Sequence, residues 1–104
     1  MNAVMLRLFT EEDRKHKGRL VYEWLLETGR EMGIPGGSAF RAIAGYGHGG
    51  RMREDSFFEL GGKLPVEVMF AASAEQADAL LARVRAEGLR LFYIRTAAET
   101  DSTA

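Results

Sequence analysis

The chain has 104 residues, which suits one domain, and its 46% hydrophobic and 28% charged residues are those of an ordinary globular protein. A net charge of −1 gives no bulk attraction to nucleic acid or to an anionic membrane, and the absence of cysteine excludes disulfides, thiolate catalysis and cysteine-ligated metal. The opening residues lack the features of a signal peptide and no apolar run is long enough to span a bilayer, so we expect a cytoplasmic protein without membrane insertion.

The first half of the chain predicts a strand, a helix and a second strand. Residues 4–9 form a short apolar run that predicts a strand, and the polar residues after it predict a loop ending at Gly18. Residues 19–32 carry apolar side chains at helical spacing, and Gly33 directly afterwards is typical of a helix end. Residues 38–46 then predict the second strand.

A glycine-rich stretch follows the second strand. It predicts a flexible loop over residues 47–56, because glycine lowers strand stability and frees the backbone. Beyond this loop, residues 57–60 predict a short strand and residues 66–70 predict a longer one with alternating side chains.

The second half of the chain predicts one more helix and a last strand. Ser73 and Gln76 have the spacing of a capping box, which predicts that a helix begins there. Gly88 follows the last apolar position of this helix and predicts its end. Residues 89–94 predict the final strand.

With residues 47–60 taken together as the connection between two strands, the order β-α-β-β-α-β predicts the α+β class and a ferredoxin-like fold, in which an antiparallel sheet carries both helices on one face. We expect a single domain over residues 1–96. Residues 97–104 are small and polar, which predicts a disordered tail.

The predicted sheet has apolar side chains on both faces. Two helices cover only one face, and the opposite face of such a sheet is usually polar where it meets water. Here both sides of the first and last strands are apolar: the first strand carries Val4, Leu6 and Leu8 on one side and Met5 and Phe9 on the other, and the last strand carries Leu89, Leu91 and Tyr93 on one side and Phe92 and Ile94 on the other. An apolar patch of this kind is unusual on a monomer, so we expect the chain to associate with copies of itself.

The glycine-rich segment 45–50, followed by Arg51 and Arg53, is the clearest candidate binding site in the sequence. Exposed amides in a glycine-rich turn can cradle phosphate, and arginines add charge-assisted hydrogen bonds. The segment lacks the Gly-Lys-Ser/Thr ending of a Walker loop and the strand-to-helix setting of a dinucleotide fingerprint. A flexible hairpin tip is therefore the other interpretation.

The sequence offers no catalytic or metal-binding pattern. His16 and His48 lie in polar or glycine-rich stretches, which predicts exposed loop histidines rather than metal ligands. No serine has the Gly-x-Ser-x-Gly spacing of a nucleophile elbow. No nucleophile, base and orienting group can be assembled, so we expect neither an enzyme nor a metal site.

Four stretches of the sequence have the order and spacing of a known family's motifs. They are Lys17-Gly18-x-Leu20-x-Tyr22-Glu23, residues 29–34, Phe40-Arg41-x-Ile43-x-Gly45-Tyr46-Gly47 and Leu64-Pro65-Val66. Together they resemble the PII-like family catalogued as domain of unknown function 190. The resemblance runs over residues 5–94, nearly the whole chain.

The resemblance implies a homotrimer whose sheets face inward and whose T-loop base, with a neighbouring subunit, holds adenine nucleotides. Carried to this sequence, it implies ligand contacts at Gly45, Gly47, Arg51 and Lys63, with Arg41 and Arg90 as further candidates. It also implies a flexible signalling loop that contains His48, Gly49, Gly50 and Arg53.

We therefore expect a trimeric PII-like signalling protein without a resident cofactor. AMP, ADP or ATP would bind between subunits and order the 47–56 loop, which would engage a protein partner such as a transporter or an enzyme. Two alternatives stay open. A metal-binding and tolerance protein of the trimeric ferredoxin-like type would need His48 beside carboxylates, and a small ferredoxin-like enzyme would need a deep apolar pocket with a polar catalytic group.

Overall fold

The computed structural model describes residues 2–45 and 64–104. Within these residues the elements are β1 (Asn2–Glu11), β2 (Lys15–His16), β3 (Arg19–Leu20), α1 (Val21–Glu31), β4 (Gly36–Arg41), β5 (Pro65–Ala72), α2 (Ala74–Ala86) and β6 (Phe92–Glu99). In this part of the chain, neither helix is long and apolar enough to cross a membrane.

Four of the strands form one antiparallel sheet with the order β4-β5-β1-β6. The two strands that follow helices, β4 and β6, lie at the edges, and β1 and β5 pair in the centre. This order is that of the split βαβ arrangement, so the prediction of a ferredoxin-like α+β fold is confirmed. β2 and β3 form a separate two-stranded hairpin between β1 and α1.

The hydrophobic core lies between the sheet and the two helices. Alternation places Leu6 and Leu8 of β1 and Val68 and Phe70 of β5 on the same face, where all four side chains are almost fully buried. The apolar stripes of the helices complete the core with Val21, Trp24, Leu25, Ala77, Leu80, Leu81 and Val84.

The backbone approaches the Phe70 ring closely at two glycines. A Cβ atom on Gly29 of α1 would lie 2.5 Å from a ring carbon of Phe70, and one on Gly37 of β4 would lie 2.6 Å from the same atom. Real Cβ atoms do not approach so closely, so both glycines let α1 and β4 pack onto this ring.

The start of α2 and the ends of both helices match the sequence prediction. Ser73 accepts from the Gln76 amide and the Gln76 side chain accepts from the Ser73 amide, so the predicted capping box is confirmed. Gly33 and Gly88 have positive φ values of 84° and 74° and follow the last residues of the two helices as left-handed caps.

Three boundaries predicted from the sequence are wrong. The stretch before α1 is not a plain loop, since Lys17 and Gly18 both have positive φ and form a two-residue turn that pairs His16 with Arg19. The first helix therefore begins at Val21 instead of residue 19. The second strand ends at Arg41 instead of residue 46, because its partner β5 begins at Pro65, one residue beyond the pair of Arg41.

The last strand also differs from its prediction. β6 begins at Phe92 rather than residue 89, because residues 89–91 still lead from α2 to the sheet. It continues to Glu99, where it pairs with Asn2 at the start of β1, so the expectation of a disordered tail is wrong for residues 97–99. Small side chains gave no alternation there, and the strand is instead defined by backbone pairing with β1. The predicted loop 47–56 and strand 57–60 lie outside the described residues.

The face of the sheet that the helices leave uncovered is largely apolar. Phe9 and Phe92 pair on it with ring centroids 5.6 Å apart, and the side chains of Phe92 and Phe40 are each 52% exposed. Arg7 lies among them and makes two hydrogen bonds to Glu67, at 3.2 and 3.1 Å. A single copy of the chain thus leaves a patch of aromatic surface in water.

Candidate functional site

A small cavity lies on the helix-facing side of the sheet, between the end of α2 and the approach to β6. Its volume is about 180 Å³, less than the roughly 300 Å³ at which pockets for whole drug-sized ligands begin. Leu8, Leu81 and Val84 form apolar walls that belong to the core. The other lining residues are Arg85, Leu89, Arg90, Leu91 and Tyr93.

The local sequence creates this cavity by turning the chain sharply after α2. Gly88 takes the left-handed conformation, and the Leu89 amide then donates to the Val84 carbonyl at 3.2 Å. The chain crosses to the edge of the sheet before β6 begins. Tyr93 pairs with Leu8 and so lies on the helix-facing side, yet it is 37% exposed because α2 does not extend over it.

Two arginines give the cavity a positive rim. Arg85 and Arg90 are exposed, and within residues 2–45 and 64–104 neither guanidinium has a hydrogen-bond or ion-pair partner. Free guanidinium groups bind carboxylate and phosphate in a bidentate manner, and an aromatic side chain such as Tyr93 can stack on a flat ring. The cavity is therefore suited to an anionic molecule with a flat apolar body.

The other predicted site residues that the structure describes, Arg41 and Gly45, lie near the end of β1. Arg41 forms an ion pair with Glu12 at 2.8 Å. Gly45 lies close to Pro65, whose ring carbon would be 3.9 Å from a Cβ at that glycine. The Glu12 amide donates to the Leu64 carbonyl at 2.9 Å, so Gly45 and Leu64 both lie beside the end of β1.

Arg41 and Arg90 lie at the same end of the sheet but at opposite edges. The register joins Arg41 to Val66 and Val66 to Thr10, all on the helix-facing side, and the chain enters β6 beside this same end of β1. From β4 to β6 there are three strand spacings, or roughly 14 Å. In one copy of the chain, the two arginines are therefore on separate edges of the sheet.

The remaining predicted site residues lie outside the described residues. They are the ligand-contact candidates Gly47, Arg51 and Lys63 and the signalling-loop candidates His48, Gly49, Gly50 and Arg53. In the described ranges, no three side chains of the metal-ligating types come together.

The sequence did not predict a cluster of basic side chains around Glu87. His16 lies 2.9 Å from the Glu87 carboxylate, Lys17 lies 3.4 Å from it and Arg83 lies 3.8 Å from it. The Trp24 ring meets the edge of His16 at 6.3 Å. Hydrogen bonds from His16 and Lys17 hold the pKa of Glu87 below its ordinary value, against the smaller opposing effect of burial.

The expectation that His16 is an exposed loop histidine is therefore wrong. Its side chain is only 18% exposed and reaches a residue 71 positions further along the chain. Only the positive charge of the stretch between Arg14 and Arg19 hinted at an acidic partner, and nothing in the sequence identified which one.

Comparisons with known proteins place the chain in a family. The DUF190 family model, described as Uncharacterized ACR, COG1993, matches residues 3–89. A UPF0166 protein of Aquifex aeolicus is 38% identical over 81 residues, 78% of this chain and 77% of the relative, and UPF0166 protein MJ1524 of Methanocaldococcus jannaschii is 27% identical over 81% and 77%.

Solved structures agree on the fold. CPII, a nitrogen regulatory PII-like protein from Thiomonas intermedia K12 whose structure is bound to ADP, AMP and bicarbonate, superposes with a TM-score of 0.66 over 100% of this chain and 98% of that one, at 13% identity. A likeness at this identity concerns the fold alone. The sequence matches go further, and by them this chain is a member of the DUF190 family with a PII-like fold.

Proposed function

We propose that this protein is a PII-like regulatory protein that acts as a homotrimer and binds an adenine nucleotide in clefts between its copies. The observation that carries the proposal is the position of Arg41 and Arg90 at one end of the sheet but at opposite edges. In a closed ring, each copy presents one edge to one neighbour and the other edge to the next. Arg41 of one copy then meets Arg90 of its neighbour.

The cavity beside Arg90 supports this arrangement. At about 180 Å³ it is large enough for part of a nucleotide, and an adjoining copy would supply the rest of the enclosure. Its apolar walls and Tyr93 suit an adenine ring, and the free guanidiniums of Arg85 and Arg90 suit phosphate.

The uncovered face of the sheet supports self-association. Phe40 and Phe92 each leave about half of their surface in water, and a neighbouring copy would bury it. Full burial of a phenylalanine side chain contributes about 1.5–3 kcal/mol, so several such residues in each of three copies give a substantial driving force. The Arg7–Glu67 pair would be buried already satisfied by its own hydrogen bonds.

We choose adenine nucleotides as the ligand class because the structure of CPII, which has a similar fold, is bound to ADP and AMP. Regulation requires that the ligand bind one conformation of the protein better than another. We place that difference in the 47–56 loop, which would order when a nucleotide binds at Gly45, Gly47, Arg51 and Lys63 and would then engage a protein partner in the cytoplasm, such as a transporter or an enzyme.

Two measurements test the proposal. Light scattering should give a mass three times the 11.5 kDa of the chain at micromolar concentration. Calorimetric titration with AMP, ADP and ATP should show saturable binding that weakens in Arg41→Ala and in Arg90→Ala. Arg30→Ala is the matched control, because Arg30 is an exposed arginine at the end of α1 that does not line the cavity.

Each part of the proposal has its own negative result. A stable single copy would exclude a site shared between subunits. A folded trimer that gives no heat with any of the three nucleotides would exclude the nucleotide and leave the assembly intact.

A further inference from the structure

The hairpin between β1 and α1 holds the segment that lines the cavity at two points. The Arg14 guanidinium donates to the Arg90 carbonyl at 3.1 Å, and His16 lies 2.9 Å from the Glu87 carboxylate. Glu87 and Arg90 are at the two ends of the turn after α2, and Leu89 and Arg90 line the cavity. We call Arg14 and His16, with Lys17 between the hairpin strands, the hairpin clamp.

Glu87 is the point on which the clamp converges. Its carboxylate contacts His16 and Lys17 of the hairpin, and Arg83 of α2 lies 3.8 Å away. The side chains of His16 and Glu87 are 18% and 21% exposed, so the hydrogen bond between them is partly shielded from water.

The turn at the tip of the hairpin brings Lys17 to the same carboxylate. Lys17 has a φ of 52°, as the two-residue turn that it forms with Gly18 requires. Its ammonium group lies 3.4 Å from Glu87. The tip of the hairpin therefore contacts the end of α2.

We propose that the hairpin clamp sets the position of the turn after α2 and thereby the ligand affinity of the cavity, with His16 and Glu87 as positioning residues. The ligand part of this inference rests on the proposed function above.

The clamp acts on the wall that carries the free guanidinium of Arg90. Without it, the turn keeps its own backbone bonds, from Gly88 to Arg85 and from Leu89 to Val84, but loses its ties to the hairpin. Arg90 and Leu91 then sample more positions, and a ligand must restrict them when it binds. Affinity falls although no ligand contact has been removed.

The test is the affinity for ADP, measured by calorimetry on the full chain. We expect His16→Ala and Glu87→Ala each to weaken ADP binding about tenfold. His16→Gln should recover most of the affinity, because a glutamine amide places a donor near the position of the imidazole nitrogen. Asp78→Ala is the matched control, since it removes another ion-paired carboxylate from α2, the partner of Arg95, and leaves the turn untouched.

Two results would overturn the proposal: equal ADP affinity in His16→Ala and the wild type, or no difference between His16→Gln and His16→Ala. In Glu87→Ala, which keeps His16, the emission of Trp24 reports whether the hairpin has left its place, because the ring of this single tryptophan contacts His16. A Glu87→Ala variant that binds ADP normally while Trp24 emission has shifted would show that clamp position and affinity are independent.

Amide hydrogen exchange keeps this inference separate from the nucleotide proposal. If the wild type binds no ADP, the nucleotide proposal fails, and the clamp is judged by the exchange rates of Gly88 and Leu89. We expect about tenfold faster exchange at these two amides in His16→Ala, with rates in β1 unchanged. Equal rates in both proteins would refute the clamp itself.

Discussion

A mixture of two defective variants should regain binding sites if each site is shared between copies. Arg41→Ala removes a guanidinium from the β4 edge, and Arg90→Ala removes one from the cavity beside β6. A hydrogen bond from a charged group contributes about 1.5–3 kcal/mol, so each variant alone should bind ADP about ten to a hundred times more weakly.

Random mixing of the two variants gives the size of the recovery. The two variants are unfolded together and refolded in equal amounts, so that copies join at random. A site between copies is intact when one copy has kept Arg41 and its neighbour has kept Arg90. Each condition holds for half of the copies, so about a quarter of the sites should have both arginines.

The assay is the number of high-affinity ADP sites per chain, read from calorimetry. Wild-type protein refolded in the same way gives the reference number, and each variant refolded alone gives the background. If both arginines served a site within one copy, no chain in the mixture would carry the pair, and no sites would return. That result, obtained with trimers that have demonstrably exchanged copies, would refute the shared site.

Three further predictions concern the fold and its assembly. Gly29→Ala should lower the free energy of unfolding by about 1–3 kcal/mol in urea titration, because the new methyl group meets the Phe70 ring, and Phe70→Leu in the same chain should recover part of the loss. Phe92→Glu should reduce the mass in light scattering to that of one chain, because it places a charge on the apolar uncovered face. Because the pKa of Glu87 is lowered in the folded state, its contribution to stability is present above its ordinary pKa and is lost as pH falls through the folded value. Urea titrations between about pH 5 and pH 3 should therefore show a steeper loss for the wild type than for Glu87→Gln.

Each of these predictions has a control or a contrary result. Gly29→Ala with unchanged stability would mean that α1 moves off the sheet at little cost. Ala82→Glu, on the exposed side of α2, adds the same charge as Phe92→Glu and should leave the mass unchanged. Parallel pH curves for the wild type and Glu87→Gln would mean that the contacts of Glu87 with His16 and Lys17 persist in the unfolded chain or contribute nothing.

The sequence predicted the parts of the fold that local patterns define. A short apolar run predicted β1, alternation predicted β5, and the Ser73 and Gln76 spacing predicted the start of α2. The end of β6 was not predictable in this way, because Ala97 and Ala98 carry no pattern and are strand residues only through their pairing with β1. A strand boundary that depends on pairing with a distant strand cannot be predicted from the local sequence pattern.

The candidate site was likewise only partly predictable from the sequence. Arg41 and Arg90 came from family resemblance, but their separation across the sheet follows only from the strand order. The hairpin cluster depends on a contact between His16 and Glu87, which lie 71 residues apart, and a short basic stretch does not identify such a partner. The cavity lies between the end of α2 at Ala86 and the start of β6 at Phe92. It could be predicted only if both of these boundaries were known.

In the proposed trimer, the topology would make assembly and ligand binding parts of one equilibrium. β4 and β6 must lie at opposite edges in this fold, because each follows a crossover helix while β1 and β5 pair at the centre. In the proposed ring, a positive group at each edge, at the same end of the sheet, would form repeated sites between copies. A ligand that bridges the two edges would bind only the assembled form, and it would stabilise the ring by mass action without touching the aromatic face.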